Sequence, residues 1–194
     1  QIASAAQTSD LTQWQNSAGV NVASMTSSGV LNVYEVRTSG NQIILGAGAN
    51  SKDNWGSTHS STCVVIGPTA GASQDSIAIG GGASATSGQT GERGAIAIGH
   101  NANAGHERAI AIGHNSSSPG SESVALGIGS SVATQAGIAI GYGATSTGSY
   151  AVAIGKRVTA DGHGAIALGA GENNISDNTN ATGERALAIG AGAK

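Results

Sequence analysis

From Gln42 onward, aliphatic residues arrive in short bursts, each closed by glycine and separated from the next by small polar residues. The bursts read Ile77-Ala78-Ile79-Gly80, Ile96-Ala97-Ile98-Gly99, Ile110-Ala111-Ile112-Gly113, Val124-Ala125-Leu126-Gly127, Ile138-Ala139-Ile140-Gly141, Val152-Ala153-Ile154-Gly155, Ile166-Ala167-Leu168-Gly169 and Leu187-Ala188-Ile189-Gly190. Alternation of large, small and large side chains is the pattern of a β-strand, whose successive residues point to opposite faces. From Gly99 to Gly169 the closing glycines recur every 14 residues. A short fixed period means one small unit stacked on itself.

One unit is read as follows. Ile110, Ala111 and Ile112 form a first strand, Gly113 ends it, His114–Ser118 supply a turn and a second short strand, and Pro119–Glu122 turn the chain back. Such a unit holds two strands of about five residues, with successive coils about 4.8 Å apart. The earlier bursts Ile43-Ile44-Leu45-Gly46 and Val64-Val65-Ile66-Gly67 bring the series to ten coils, a rod about 50 Å long at that spacing. The fold class is therefore all-β, a flattened parallel β-solenoid. Three and five residues past the glycine, the second strand carries Ala70 and Ala72, Ala83 and Ala85, Ala102 and Ala104, Ser116 and Ser118, Ala144 and Ser146, Val158 and Ala160. Small residues at these facing positions bring the second strand close to the first.

The intervals Gly46 to Gly67, Gly80 to Gly99 and Gly169 to Gly190 exceed 14 residues, and the excess is polar. Insertions in a solenoid leave as side loops. Asp53, Asn54 and Trp55 in one insertion, and Asn173 and Asn174 in another, are the candidate receptor contacts, because Trp55 is a large aromatic set in a polar loop.

If the flanking Ile side chains point inward, the middle residue of each burst points out. That residue is Ala at Ala78, Ala97, Ala111, Ala125, Ala139, Ala153, Ala167 and Ala188. A solvent-facing column would drift among Thr, Lys, Ser and Glu; a column of Ala is expected to pack flat against another chain. A core of two large and two small residues per coil is too thin for one chain alone, so a homo-oligomer of parallel rods is expected, with those alanines at the contact.

Composition narrows the function. With 10% charged residues, a net charge of -3 and no basic patch, the chain lacks the electrostatic footprint of nucleic-acid binding. It carries no apolar run of bilayer length and no signal peptide; its abrupt ends are read as those of a segment of a longer protein. Cys63 is single, so no intrachain disulfide is available, and it is read as a small buried side chain. His100 and His114 fall at the same place in consecutive coils and would stack about 5 Å apart; they are read as a hydrogen-bonded or solvated pair. Glu92-Arg93, Glu107-Arg108 and Glu184-Arg185 recur at the turn before the strand. The acids show no paired spacing for glycoside hydrolysis, and Gly80-Gly81-Gly82 precedes no helix that would make it a phosphate loop. No catalytic, cofactor or metal site is assigned, and the chain is read as a non-enzyme.

The repeated Val/Ile-Ala-Ile-Gly phrase, its 14-residue period and the small-x-small second strand resemble the YadA-like head repeat of trimeric autotransporter adhesins. That resemblance implies a left-handed parallel β-roll, three chains about a common axis, an extracellular location and adhesion to a host cell or surface receptor. Residues 41–194 are assigned to the head-like roll. Residues 1–40 depart from the repeat. Asp10–Val20 leads into Val22-Ala23-Ser24-Met25, and Ser28-Gly29-Val30-Leu31-Asn32-Val33 follows; the stretch reads as short strands joined by Ala-Gly and Ser-Gly turns, similar to small β modules in fibre proteins of bacteriophages and other large DNA viruses. A virion fibre or head/tail decoration protein mediating host attachment is the alternative reading. The expected partners are two further copies of the chain and a host protein or glycan.

Overall fold

The computed structural model describes residues 12–15, 21–25, 31–33, 42–45, 63–86, 94–171 and 178–194. The chain divides into two compact units, Gln1–Thr38 and Ser39–Lys194. In the first, Thr12–Gln15, Asn21–Met25 and Leu31–Val33 form a three-stranded antiparallel sheet, with a register shift between Trp14 and Gln15.

The second unit is a parallel β-solenoid made of two sheets, with no helix among the described residues. A ten-stranded sheet takes one strand from each aliphatic burst, from Gln42–Leu45 through Ile110–Ile112 to Leu187–Ile189. An eight-stranded sheet of two-residue strands, from Gly71–Ala72 to Asn180–Ala181, lies behind it. Register is set by the repeat: Ile110, Ala111 and Ile112 pair with Ile96, Ala97 and Ile98 on one side and with Val124, Ala125 and Leu126 on the other. Like residues therefore form continuous columns.

The interior reverses one sequence expectation. The middle residues of the bursts do not face outward: Ala78, Ala97, Ala111, Ala125, Ala139, Ala153 and Ala167 are 0% exposed and Ala188 is 2% exposed in the single chain. The flanking aliphatics point out instead, and Leu126, Ile154 and Ile166 are exposed. The cause is the residue preceding each burst. Ala95, Ala109, Ser123, Ala151 and Ala165 share a strand face with the middle alanine, and all are buried. Two small columns on the first strand thus oppose two on the second, where Ala102, Ala104, Ser116, Ser118, Ser146 and Ala160 are also fully buried, as their small size implied. The turns at either side are a few residues long and hold the sheets too close for Ile to fit between them.

Where serine replaces alanine inside, its hydroxyl finds a partner, as burial requires. Ser116 Oγ donates to Gly113 O at 2.9 Å and Ser130 Oγ to Gly127 O at 3.0 Å, each back to the glycine that closes its own burst. The hydroxyls of Ser118 and Ser123 bridge the two sheets at 2.6 Å. Volume is matched as well. Val132 is the bulkier residue at its inward position, and opposite it Gly137 stands where other coils have Ala or Ser; a Cβ on Gly137 would lie 2.7 Å from Val132 Cγ1 and 2.9 Å from Ser146 Oγ.

Both turns of each coil are hydrogen-bonded to the next. In the first, Asn115 N–H donates to His100 O and Gly129 N–H to His114 O, both at 2.9 Å; in the second, Glu122 N–H donates to Glu107 O at 3.0 Å and Ala136 N–H to Ser121 O at 2.9 Å. The closing glycine makes the first turn possible. Gly99 has φ +133, a region essentially restricted to glycine, and a Cβ there would lie 2.5 Å from the carbonyl oxygen of Gly113 in the next coil.

Three substitutions test this account by chemical denaturation. Gly99→Ala is expected to cost on the order of 3 kcal/mol or more, since strained φ and a backbone clash combine. Gly129→Ala, at φ +64 with nothing within 4 Å of the added methyl, is expected to cost about 1 kcal/mol. Ala111→Val is expected to destabilise by about 1–3 kcal/mol through overpacking; an outward Ala111 would tolerate it.

Candidate interaction surfaces

With the alanines inside, the solenoid offers four surfaces: two sheet faces and two edges made by the turns. The outer face of the ten-stranded sheet carries two columns of aliphatic side chains. One runs from Ile77 through Ile110 and Ile138 to Leu187, and the other from Ile79 through Ile112 and Ile140 to Ile189. Most are half-buried by their own neighbours in the column, while Leu187 and Ile189 reach 63% exposure. An apolar surface of this continuity is unusual on a lone soluble chain and marks a contact face. The alanines named for chain-to-chain packing are buried within the chain and unavailable for it, and the residues on either side of them form the outer face. The signal was present in the sequence: a small residue two positions before each middle alanine fixes which face is narrow.

The outer face of the eight-stranded sheet is of the opposite character. Its outward column reads Ser84, Asn103, Ser117, Ser131, Thr145, Thr159 and Asn180, all short, polar and uncharged. Ser84 and Thr86 hydroxyls lie 3.1 Å apart, and Thr147 Oγ1 donates to Asp161 Oδ1 in the next coil. The solenoid is therefore two-sided, apolar on one sheet and hydroxyl-rich on the other.

The first edge holds the two residues after each closing glycine. Here the His100 and His114 rings stack with centroids 5.3 Å apart and planes 11° from parallel, the spacing that in-register coils dictate. Ile128 and Tyr142, next in that column, are 54% and 52% exposed. The second edge carries the acids. Arg108 Nη1 lies 2.6 Å from Glu122 Oε1 in the following coil, and Arg108 Nη2 lies 3.7 Å from its neighbour Glu107 Oε2. These groups are solvent-exposed, so each pair contributes at most about 1 kcal/mol. Tyr150 meets His163 edge-on, with centroids 5.5 Å apart.

Among the described residues no three His, Cys, Asp or Glu side chains group to hold a metal ion. Cys63 is buried, 4% exposed, at the start of its strand. The receptor-contact candidates Asp53, Asn54, Trp55, Asn173 and Asn174 lie outside the described residues. The first group falls between Gln42–Leu45 and Cys63–Ile66, which pair directly with each other. The second falls between Gly171 and Asn178. Both insertions therefore interrupt the chain without interrupting the stack.

No curated protein matches the chain. The YadA head domain repeat, taken as two copies, matches residues 93–116, 107–130, 135–157 and 177–193. Each matched stretch contains at least one aliphatic burst with its closing glycine, the feature whose backbone conformation and inter-coil contact are described above. All the matched stretches lie in the solenoid, which over those residues is similar to the YadA head domain repeat.

Proposed function

We propose that this chain is a structural attachment module of a surface fibre, built as a parallel homotrimer and located outside the cell. The observation that carries the reading is the pair of unbroken aliphatic columns on the ten-stranded sheet, from Ile77 to Leu187 and from Ile79 to Ile189. Turned toward a shared axis, three such faces remove each other's apolar surface from water, at about 25 cal/mol per Å². The threefold number and the left-handed winding follow the resemblance to trimeric adhesin heads. The hydroxyl-rich sheet then faces solvent, and the insertions at 46–62 and 172–177 are the segments offered to a host protein or glycan. Three copies of each loop on one rigid body strengthen contacts that are weak singly.

A virion fibre is the second reading, and the separate three-stranded antiparallel sheet of residues 12–33 supports it. Both readings share the attachment role.

Light scattering is expected to give three times the chain mass at micromolar concentration. The double variant Ile112→Lys, Ile140→Lys is expected to shift that mass to the monomer value, because two buried charges per chain would face the axis. A wild-type monomer would remove the assembly from the proposal. For attachment, beads coated with the protein are expected to adhere to host cells. Trp55→Ala is expected to reduce adhesion several-fold with the circular dichroism spectrum unchanged; equal adhesion by the variant would exclude Trp55 as a contact.

A further inference from the structure

The two edges of the solenoid differ in chemistry coil by coil, and their differences match. On the first edge, the residue after each closing glycine is in turn His100, His114, Ile128 and Tyr142. On the second edge of the same four coils, the left-handed turn position holds Arg108, preceded by Glu107, then Glu122, Ala136 and Tyr150. At successive levels an imidazole stands across from the Glu107–Arg108 ion pair, an imidazole across from Glu122, an aliphatic across from an alanine, and a phenol across from a phenol. Within one chain these partners sit on opposite sides of the coil and do not meet.

We infer that the first edge of one protomer packs against the second edge of a neighbouring copy, coil against the same coil, so that Tyr142 of one chain contacts Tyr150 of the next. The inference rests on the trimer reading proposed above and names the contact that closes it. Three ribbons with their apolar faces turned to a common axis form a triangular section. At each corner the edge of one ribbon necessarily meets the opposite edge of the next. Such contacts are heterologous, joining unlike patches, and a closed ring permits no net displacement along the axis. Like coils are therefore level to within half a coil's rise.

The side chains fit that corner. Tyr142 and Tyr150 are 52% and 54% exposed, and Ile128 is 54% exposed, three large side chains that the single chain covers only by half, Tyr150 through His163. Arg108 reaches Oε2 of Glu107 and Oε1 of Glu122, and the other oxygen of each carboxylate is an acceptor for imidazole N–H donors from His100 and His114. Charge complementarity across an interface fixes register more than it adds affinity, and here the register it selects is also the one that brings apolar groups together. Lys156 and Arg157, on the first edge one coil further, lie level with Asp161 and His163, and the Asp161 carboxylate accepts the Thr147 hydroxyl within its own chain. They contribute nothing to the match at their own level.

The test is site-specific cross-linking with a short bismaleimide, in a background where buried Cys63 is replaced by Ala. Tyr142→Cys with Tyr150→Cys in the same chain is expected to give a covalent trimer on a denaturing gel. Each single variant is expected to stay monomeric, because a heterologous corner never brings two copies of one edge together. Covalent dimers from either single variant would overturn the inference. So would a wild-type trimer by light scattering whose double variant, with unchanged circular dichroism, yields no cross-link. A wild-type monomer by light scattering would instead remove the trimer reading itself. If the tyrosine double variant misfolds, Ile128→Cys with Ala136→Cys one coil earlier carries the same two outcomes.

Discussion

Narrowness governs this molecule. The two sheets of the solenoid approach each other so closely that, among the described residues, the interior admits nothing larger than valine, and at most positions only alanine or serine. A conventional domain hides its large aliphatics and covers itself with polar groups. Here the small residues are hidden, and Ile, Val and Leu line the outside of one sheet. Hydrophobic surface gained on folding is modest, since burying alanine removes little area from water. Stability within the chain rests on a ladder of hydrogen bonds that runs through strands and both turns alike, and the larger aliphatic side chains stay on the outer face of one sheet.

Closing glycines and inward serines serve the same narrowness. At Gly99 the chain turns with φ +133 against the carbonyl of the next coil, so the approach that sets the coil spacing leaves no room for a side chain. Inward serines add no bulk beyond a hydroxyl and return it to a carbonyl within the same coil or to a serine opposite. Left-handed backbone conformations at Asn101 and Asn115 suit asparagine, while Arg108, Glu122, Tyr150 and Arg157 adopt the same conformation with no such preference. Those four are held by inter-coil bonding and not by local propensity.

Much of this was legible in the sequence. The 14-residue spacing of Gly99 to Gly169 gave the solenoid, the strand positions and the pairing register, because a repeat dictates its own alignment. Small residues at Ala102, Ala104, Ser116 and Ser118 gave the inward face of the second strand. The face of the first strand was misread. An alternation of Ile and Ala is symmetric under a flip, and general experience favours Ile inside. Ala109 and Ser123, one position ahead of the burst, break that symmetry, but their meaning depends on knowing how thin the interior is. That His114 and Glu122, and Tyr142 and Tyr150, stand on opposite edges of the same coil was not legible at all. It needs the coil to be closed before one can see which turn residues share a level.

Val132 and Gly137 carry a further meaning for how such a chain changes over generations. In a stack where every coil meets only its two neighbours, whole units can be gained or lost with little disturbance, and each adds or removes about 4.8 Å of reach. The bulkier valine and the missing methyl opposite it are an exception, since neither suits the general pattern without the other. Unequal crossing-over that copied one without its counterpart would leave either a clash or a void. Length is therefore free to drift along most of this solenoid, and that coil is a fixed joint within it.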